Sequence, residues 1–280
     1  MRGKFITFEG PEGGGKSTQV QKLADWLRQQ GKTVVVTREP GGTSLAEEIR
    51  RLVRDEMDDP PVTRCEVLLF LASRAQVVSQ VIRPALARGD WVVCDRFSDS
   101  TFAYQGFGRG IDVQLLKNFN DFVTEGLVPD MTFLLDVPPE VSRERLAARQ
   151  AATSAAGDRI ETAGVMFHRR LREGFFELAH AEPKRFVVID ATQSIDDVAA
   201  AVQRGAERGN AACGQIVEMV FKRRTNLVLP RRIIKLLHLR EPALAQVARP
   251  ASKGIERADL GKDAFDLRHV RLRHHHDVRD

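Results

Sequence analysis

The chain has 280 residues, 42% hydrophobic and 29% charged, enough for one large α/β domain or for one domain with an appendage. It contains no run of about 18 apolar residues and no signal-peptide core at its N-terminus, so neither membrane insertion nor export is expected and a cytoplasmic location is. The net charge of +5 is concentrated, with +7 on residues 210–280 and −2 on residues 1–209, so the basicity belongs to the tail and is no nucleic-acid signature of the whole.

A short apolar run, Phe5, Ile6 and Phe8, predicts a strand that ends at Gly10. The loop Gly10-Pro11-Glu12-Gly13-Gly14-Gly15-Lys16-Ser17 follows and satisfies the G-x-x-x-x-G-K-[ST] pattern between a strand and a helix. Its glycines let successive backbone amides face a phosphate without a Cβ in the way. Lys16 is placed to reach the outer phosphates, Ser17 to put its hydroxyl on a magnesium ion, and Thr18 opens the helix whose positive end faces the same anion. A nucleotide-binding loop is expected here.

Apolar residues at Val20, Leu23, Ala24 and Leu27 predict a helix over 18–30, closed by Gly31. The β-branched run 33–37 predicts a fully buried parallel strand. A turn over 38–43 and a short helix over 45–53 come next. Residues 65–87 predict one long helix bent near its end by Pro84. Trp91 to Cys94 form a third strand, ending in Asp95-Arg96. Helices over 113–123, from Pro139 to about 150, over 165–180 and over 195–208 alternate with strands at 132–135 and 186–189. Residues 151–157, small and polar, read as a mobile loop. The alternation argues for a parallel sheet covered on both faces.

Three cysteines, Cys65, Cys94 and Cys213, show no paired spacing. Cys65 and Cys94 sit in apolar segments and read as buried free thiols. An acid at the carboxyl end of a hydrophobic strand, Asp95, is expected beside the phosphate loop, supporting magnesium, with Arg96 on a second phosphate.

Taken together, the stretches FEGPEGGGKST, TREPGGT, EVLLFLASRAQ, DRFSDSTFAYQGFGRG, DRIE and VIDATQS resemble the thymidylate kinases, P-loop kinases that transfer phosphate from ATP to dTMP. The resemblance runs from Lys4 to about Arg208. It implies a P-loop NTPase three-layer α/β sandwich with a five-stranded parallel sheet, ATP and Mg²⁺ as donor, dTMP as acceptor, and a homodimer. It further implies that Phe70 stacks on thymine and that Arg74, one helical turn on, bonds the base edge. Arg96 would grip the dTMP phosphate with Arg38 or Arg50, and Ser100 or Thr101 would meet the base, next to Gln105. Tyr104, the only tyrosine, would exclude a ribose hydroxyl, and Glu12 would accept the 3′-hydroxyl.

The resemblance implies that the charge on the transferring phosphoryl is neutralised either from the phosphate loop or from a lid. A loop that offers Lys16 but no arginine points to the lid type, over about 149–160, with Arg149 or Arg159. This lid is poorer in basic residues than the family pattern. The second departure is the basic tail, 210–280, with a His274-His275-His276 run. Of three readings, a disordered extension, an anion- or membrane-surface-binding segment, and a stretch that is no natural product, a largely disordered extension with one possible helix is the one expected. Two rival functions stand beside dTMP phosphorylation: a kinase for another nucleoside monophosphate, and a nucleotide-binding regulator that has lost turnover.

Overall fold

The structure is a computed structural model and describes residues 2–55, 57–153 and 164–208. Five strands, β1 (Phe5–Glu9), β2 (Val34–Arg38), β3 (Trp91–Asp95), β4 (Met131–Asp136) and β5 (Phe186–Asp190), form one sheet in the order β2-β3-β1-β4-β5. Every pairing is parallel. β1 is therefore central, and Phe8 lies level with Asp95 on one side and Phe133 on the other.

Helices α1 (Lys16–Gln29) and α9 (Ile195–Arg208) cover one face, where Val20, Leu23, Leu27, Val198 and Val202 pack on Ile6, Phe8, Phe133 and Val187. The other face is covered by α3 (Thr63–Val77), α6 (Val113–Thr124) and α8 (Val165–Ala181), which bury Leu71, Leu116, Phe175 and Leu178. Helix α2 (Ser44–Arg54) packs on α3, with Thr43 accepting the Ala46 amide as its N-cap. This is the three-layer arrangement expected from the alternating pattern.

Several local expectations are corrected. β2 is an edge strand, with Val36 exposed, so its continuous β-branched run did not mean burial on both faces. The long helix expected over 65–87 runs unbroken over Thr63–Arg88, but its ladder changes within it: α3 passes through a π-helical turn at Val78–Ile82 into α4 (Arg83–Arg88). Pro84, which has no amide to donate, sits in the first turn of α4, directly after the π-helical turn. Cys65 is exposed, because its position on α3 faces away from the sheet, while Cys94 is buried as expected. Cys213, the His run and the tail lie outside the described residues.

Helix α7 (Pro139–Thr153) carries the first three residues of the expected 151–157 loop, and 154–157 are not described. No element was expected over 98–108, which forms one helical turn, α5 (Ser98–Thr101), running into a π-helical stretch at Phe102–Gly108. The rod Thr63–Arg88 is long and apolar enough by composition to cross a membrane. Val67, Leu71, Val77, Val78, Ile82 and Leu86 are instead buried in the two core clusters, as in a core helix.

Candidate active site

The loop after β1 is shaped by positions that only glycine fills. Gly10 has φ of 130°, and a Cβ there would come within 2.4 Å of the Leu135 carbonyl oxygen. Gly15, at φ 83°, is the residue before α1, and no side chain caps that helix. The first amides of α1 are thus left for an anion. Lys16 is buried and donates to the Pro11 carbonyl at 2.6 Å and to Gly10 at 3.1 Å. Burial and the neighbouring Arg96 push its ammonium pKa down to about 8, against the pull of Asp95, Glu12 and Glu9.

Ser17 Oγ donates to Asp95 Oδ2 at 2.6 Å. A hydroxyl and a carboxylate converging beside a phosphate loop form a hard oxygen pair that suits Mg²⁺. Among the described residues no cluster of three His, Cys, Asp or Glu stands ready for a metal. Two protein oxygens are the contribution expected where Mg²⁺ takes its remaining ligands from phosphate and water.

Arg96 follows β3 in a left-handed conformation, φ 69°, that swings its side chain across the loop. It donates to Glu12 Oε1 at 2.6 Å, to the Gly10 carbonyl at 3.0 Å, to Ser100 Oγ at 3.0 Å and to Tyr104 Oη at 3.1 Å. The Tyr104 hydroxyl in turn donates to Glu12 Oε2 at 2.5 Å. Burial would raise the Glu12 carboxyl, but Arg96 and Lys16 outweigh it and hold the group below its ordinary value. Burial pushes the Tyr104 phenol up, so it stays a donor.

Behind Arg96 lies Glu9, fully buried, which the sequence reading passed over. It accepts the Phe97 amide at 2.8 Å, the Ser100 amide at 3.2 Å and the Ser100 hydroxyl at 2.6 Å. Burial, then the nearby Asp99, raise its carboxyl to about 8 against the pull of Arg96. Asp99 is itself clasped by Arg185 through two contacts of 2.7 Å.

A cleft of about 790 Å³ joins these groups to the remaining expected residues. Phe70 and Arg74 both line it from one face of α3, with Thr101 and Gln105 across from them. Arg74 is 2% exposed and is held by protein on several sides. Gln105 donates to Glu66 at 3.2 Å. Arg38 and Arg50 line the same cleft, Arg38 paired with Glu47 at 3.0 Å and Arg50 donating to the Pro40 carbonyl at 3.0 Å. Burial, then the facing Arg38 and Arg54, depress the Arg50 guanidinium, a crowding of positive charge that an anion would relieve.

Arg149 lies on α7 at the cleft's rim, and Arg159 lies outside the described residues. Arg145, also missed from the sequence, lines the cleft and donates to the Gly13 carbonyl at 3.4 Å. Its spacing of four from Arg149 on one helix was the available signal. For Glu9 no local signal existed, since its partners lie about ninety residues on.

Fold and site together define an α/β P-loop nucleotide-binding protein, with a phosphate loop opening into a cleft lined by arginines. A family model described as thymidylate kinase matches residues 8–202, and the chain belongs to that family. It is 49% identical over 211 residues to a thymidylate kinase from Deinococcus radiodurans, covering 75% of this chain and 99% of the relative. It is 50% identical over 200 residues to one from Solidesulfovibrio magneticus, covering 71% and 96%. A crystal structure of thymidylate kinase from Ehrlichia chaffeensis superposes with a TM-score of 0.58 at 35% identity, covering 73% of this chain and 98% of the other.

Proposed function

We propose that this cleft carries out the reaction that family membership assigns to the chain, transfer of the γ-phosphate of ATP to dTMP, giving dTDP and ADP for dTTP synthesis. The observation that carries the reading is the position of Arg96. It touches the donor loop at Gly10 and Glu12, and the acceptor-side residues Ser100 and Tyr104. A cation at that seam aligns two phosphates for in-line transfer, where positioning and charge neutralisation dominate.

In this reading Lys16 and the amides of α1 hold the donor phosphates. Ser17 and Asp95 would hold Mg²⁺, which neutralises phosphate charge when bound. Arg96, with Arg38 and Arg50, holds the acceptor phosphate. Phe70, Arg74 and Thr101 meet the thymine, while Glu12 and Tyr104 face the deoxyribose. Arg149 and Arg145 bring positive charge from α7, and Arg159 belongs to the same proposal from its sequence position alone.

The family match over residues 8–202 supports taking residues 1–209 as the kinase domain and 210–280 as an added basic extension. We assign the protein to the cytoplasm and to a homodimer, with no nucleic-acid partner for the kinase domain and a nucleic-acid-binding side function left open to the basic tail. The dimer is supported by an apolar face on three adjoining helices. Leu45 and Leu52 on α2, Leu68 on α3, and Leu115, Phe119 and Phe122 on α6 are all exposed, Phe122 to 84%.

A coupled ADP-release assay with ATP and a panel of dTMP, dUMP, dCMP, dGMP and AMP tests the function, on the full chain and on a form ending at Gly209. Turnover led by dTMP in both forms is the expected result. Silence on every acceptor with ATP still bound would mean a nucleotide-binding regulator instead.

A further inference from the structure

We propose that Glu39 is a positioning residue that fixes the Arg74 guanidinium for recognition of the pyrimidine, and thereby sets the base selectivity of the acceptor pocket. This rests on the reading that Phe70 and Arg74 meet the acceptor base.

Glu39 and Arg74 are both buried, at 5% and 2% exposure. Arg74 Nε and Nη2 converge on one oxygen, Glu39 Oε2, at 2.8 and 2.7 Å. Nη2 also donates to the Phe97 carbonyl and Thr101 Oγ1, each at 3.0 Å, and Nη1 donates to Asn120 Oδ1 at 3.2 Å. A guanidinium has five N–H groups in one plane. Among the described residues these contacts commit all but one, on Nη1, and the side chain lines the cleft one helical turn after Phe70.

A single fixed donor at a ring edge discriminates by chemistry. A 4-keto pyrimidine offers it an acceptor, whereas the 4-amino group of cytosine offers a second donor. The discrimination holds only while the guanidinium stays in place, because a loosened one would turn away from the amino group. Glu39 supplies that restraint from a loop tied to α3 by the Gly41 amide on Ser73 Oγ at 3.2 Å. Its other oxygen, Oε1, is buried with no partner among the described residues. A carboxylate kept there for stability alone would be poorly used, since buried ion pairs rarely outperform apolar packing.

The test is steady-state kinetics of Glu39→Gln in the full chain, with dTMP, dUMP and dCMP at saturating ATP, and Arg74→Ala alongside. We expect kcat/KM for dTMP to fall about tenfold to a hundredfold, the range for one hydrogen bond to a charged group. The loss should sit mainly in the KM for dTMP, the preference for dTMP over dCMP should narrow, and the KM for ATP should hold. If Arg74→Ala leaves that preference intact, the base-recognition reading itself fails. If Arg74→Ala collapses it and Glu39→Gln does not, the base reading stands and the role of Glu39 is overturned. Equal losses on all acceptors with a lowered Tm would likewise overturn it. Should Glu39→Gln not fold, Glu39→Asp keeps the charge, shortens the reach and must narrow the same preference.

Discussion

Arg96 meets Glu12 across 2.6 Å, locking the residue after β3 to the middle of a loop 84 positions earlier. One planar fork serves Glu12, Gly10, Ser100 and Tyr104 together, which a lysine ammonium cannot reproduce. Arg96→Lys should therefore lower kcat/KM for dTMP on the order of a hundredfold, comparable to removing one preorganised donor. Parallel measurement of the KM for ATP, expected to move far less, checks that the loss lies on the acceptor side.

Tyr104→Phe keeps the ring that packs against Phe167 and Phe175 but removes the hydroxyl between Arg96 and Glu12. Stability should fall by about 1 kcal/mol, the net value of a typical hydrogen bond. Discrimination against the ribose form of the same nucleotide should weaken, read as the ratio of kcat/KM for dTMP and its ribonucleotide. An unchanged ratio would remove Tyr104 from sugar selection.

The Glu9 carboxyl is raised to about 8 in the folded protein from an ordinary 4.5. The folded state then holds a proton that the unfolded state has released between those values, so Glu9 favours folding at low pH and costs stability as pH climbs to 8. Glu9→Gln cannot titrate. Its stability relative to the parent should improve with rising pH over that window, by a few kcal/mol in total, on the order of the shift times 1.4. Urea midpoints at pH 5 and pH 8 check the sign.

Lys16, pushed down to about 8, must be protonated to hold phosphate. Affinity of the free protein for ATP should drop as pH rises through that value, and bound phosphate should shift the midpoint upward. Calorimetric titration from pH 7 to 9.5 shows this directly. Lys16→Met should abolish the pH dependence together with turnover.

Phe122→Glu places a charge on the most exposed residue of the α6 stripe. Sedimentation of the parent should give a dimer and of this variant a monomer. A monomeric parent would assign the stripe to some other contact.

The donor side of the site was legible because its chemistry is local. Glycines, a lysine and a hydroxyl must follow one another within eight residues for a backbone to wrap a phosphate. Asp95 was legible for a related reason, a carboxylate at the end of an apolar run. The edge position of β2 was not, since valines describe a strand's material and say nothing of its neighbours. The π-helical stretch Phe102–Gly108 escaped because distant partners stabilise it. A Cβ on Gly174 of α8 would come within 2.5 Å of the Phe107 ring, so that glycine makes the room the stretch needs. Glu9 and Glu39 carry no local signal of their roles. Only the folded chain brings them their amides and their guanidinium.

The central place of β1 carries a last consequence, for tolerance to change. Three neighbouring strands deliver the phosphate loop, Asp95 with Arg96, and the segment leading into α7, held level by the pairings of Phe8 with Asp95 and Glu9 with Leu134. Loops at the far edge of the sheet can lengthen without disturbing that alignment. A one-residue slip of β3 would move Asp95 by about 3.3 Å and turn its side chain to the opposite face. Insertions should therefore be borne in loops away from the site and refused within the strands, whose ladder hydrogen bonds keep the phosphate loop level with Asp95.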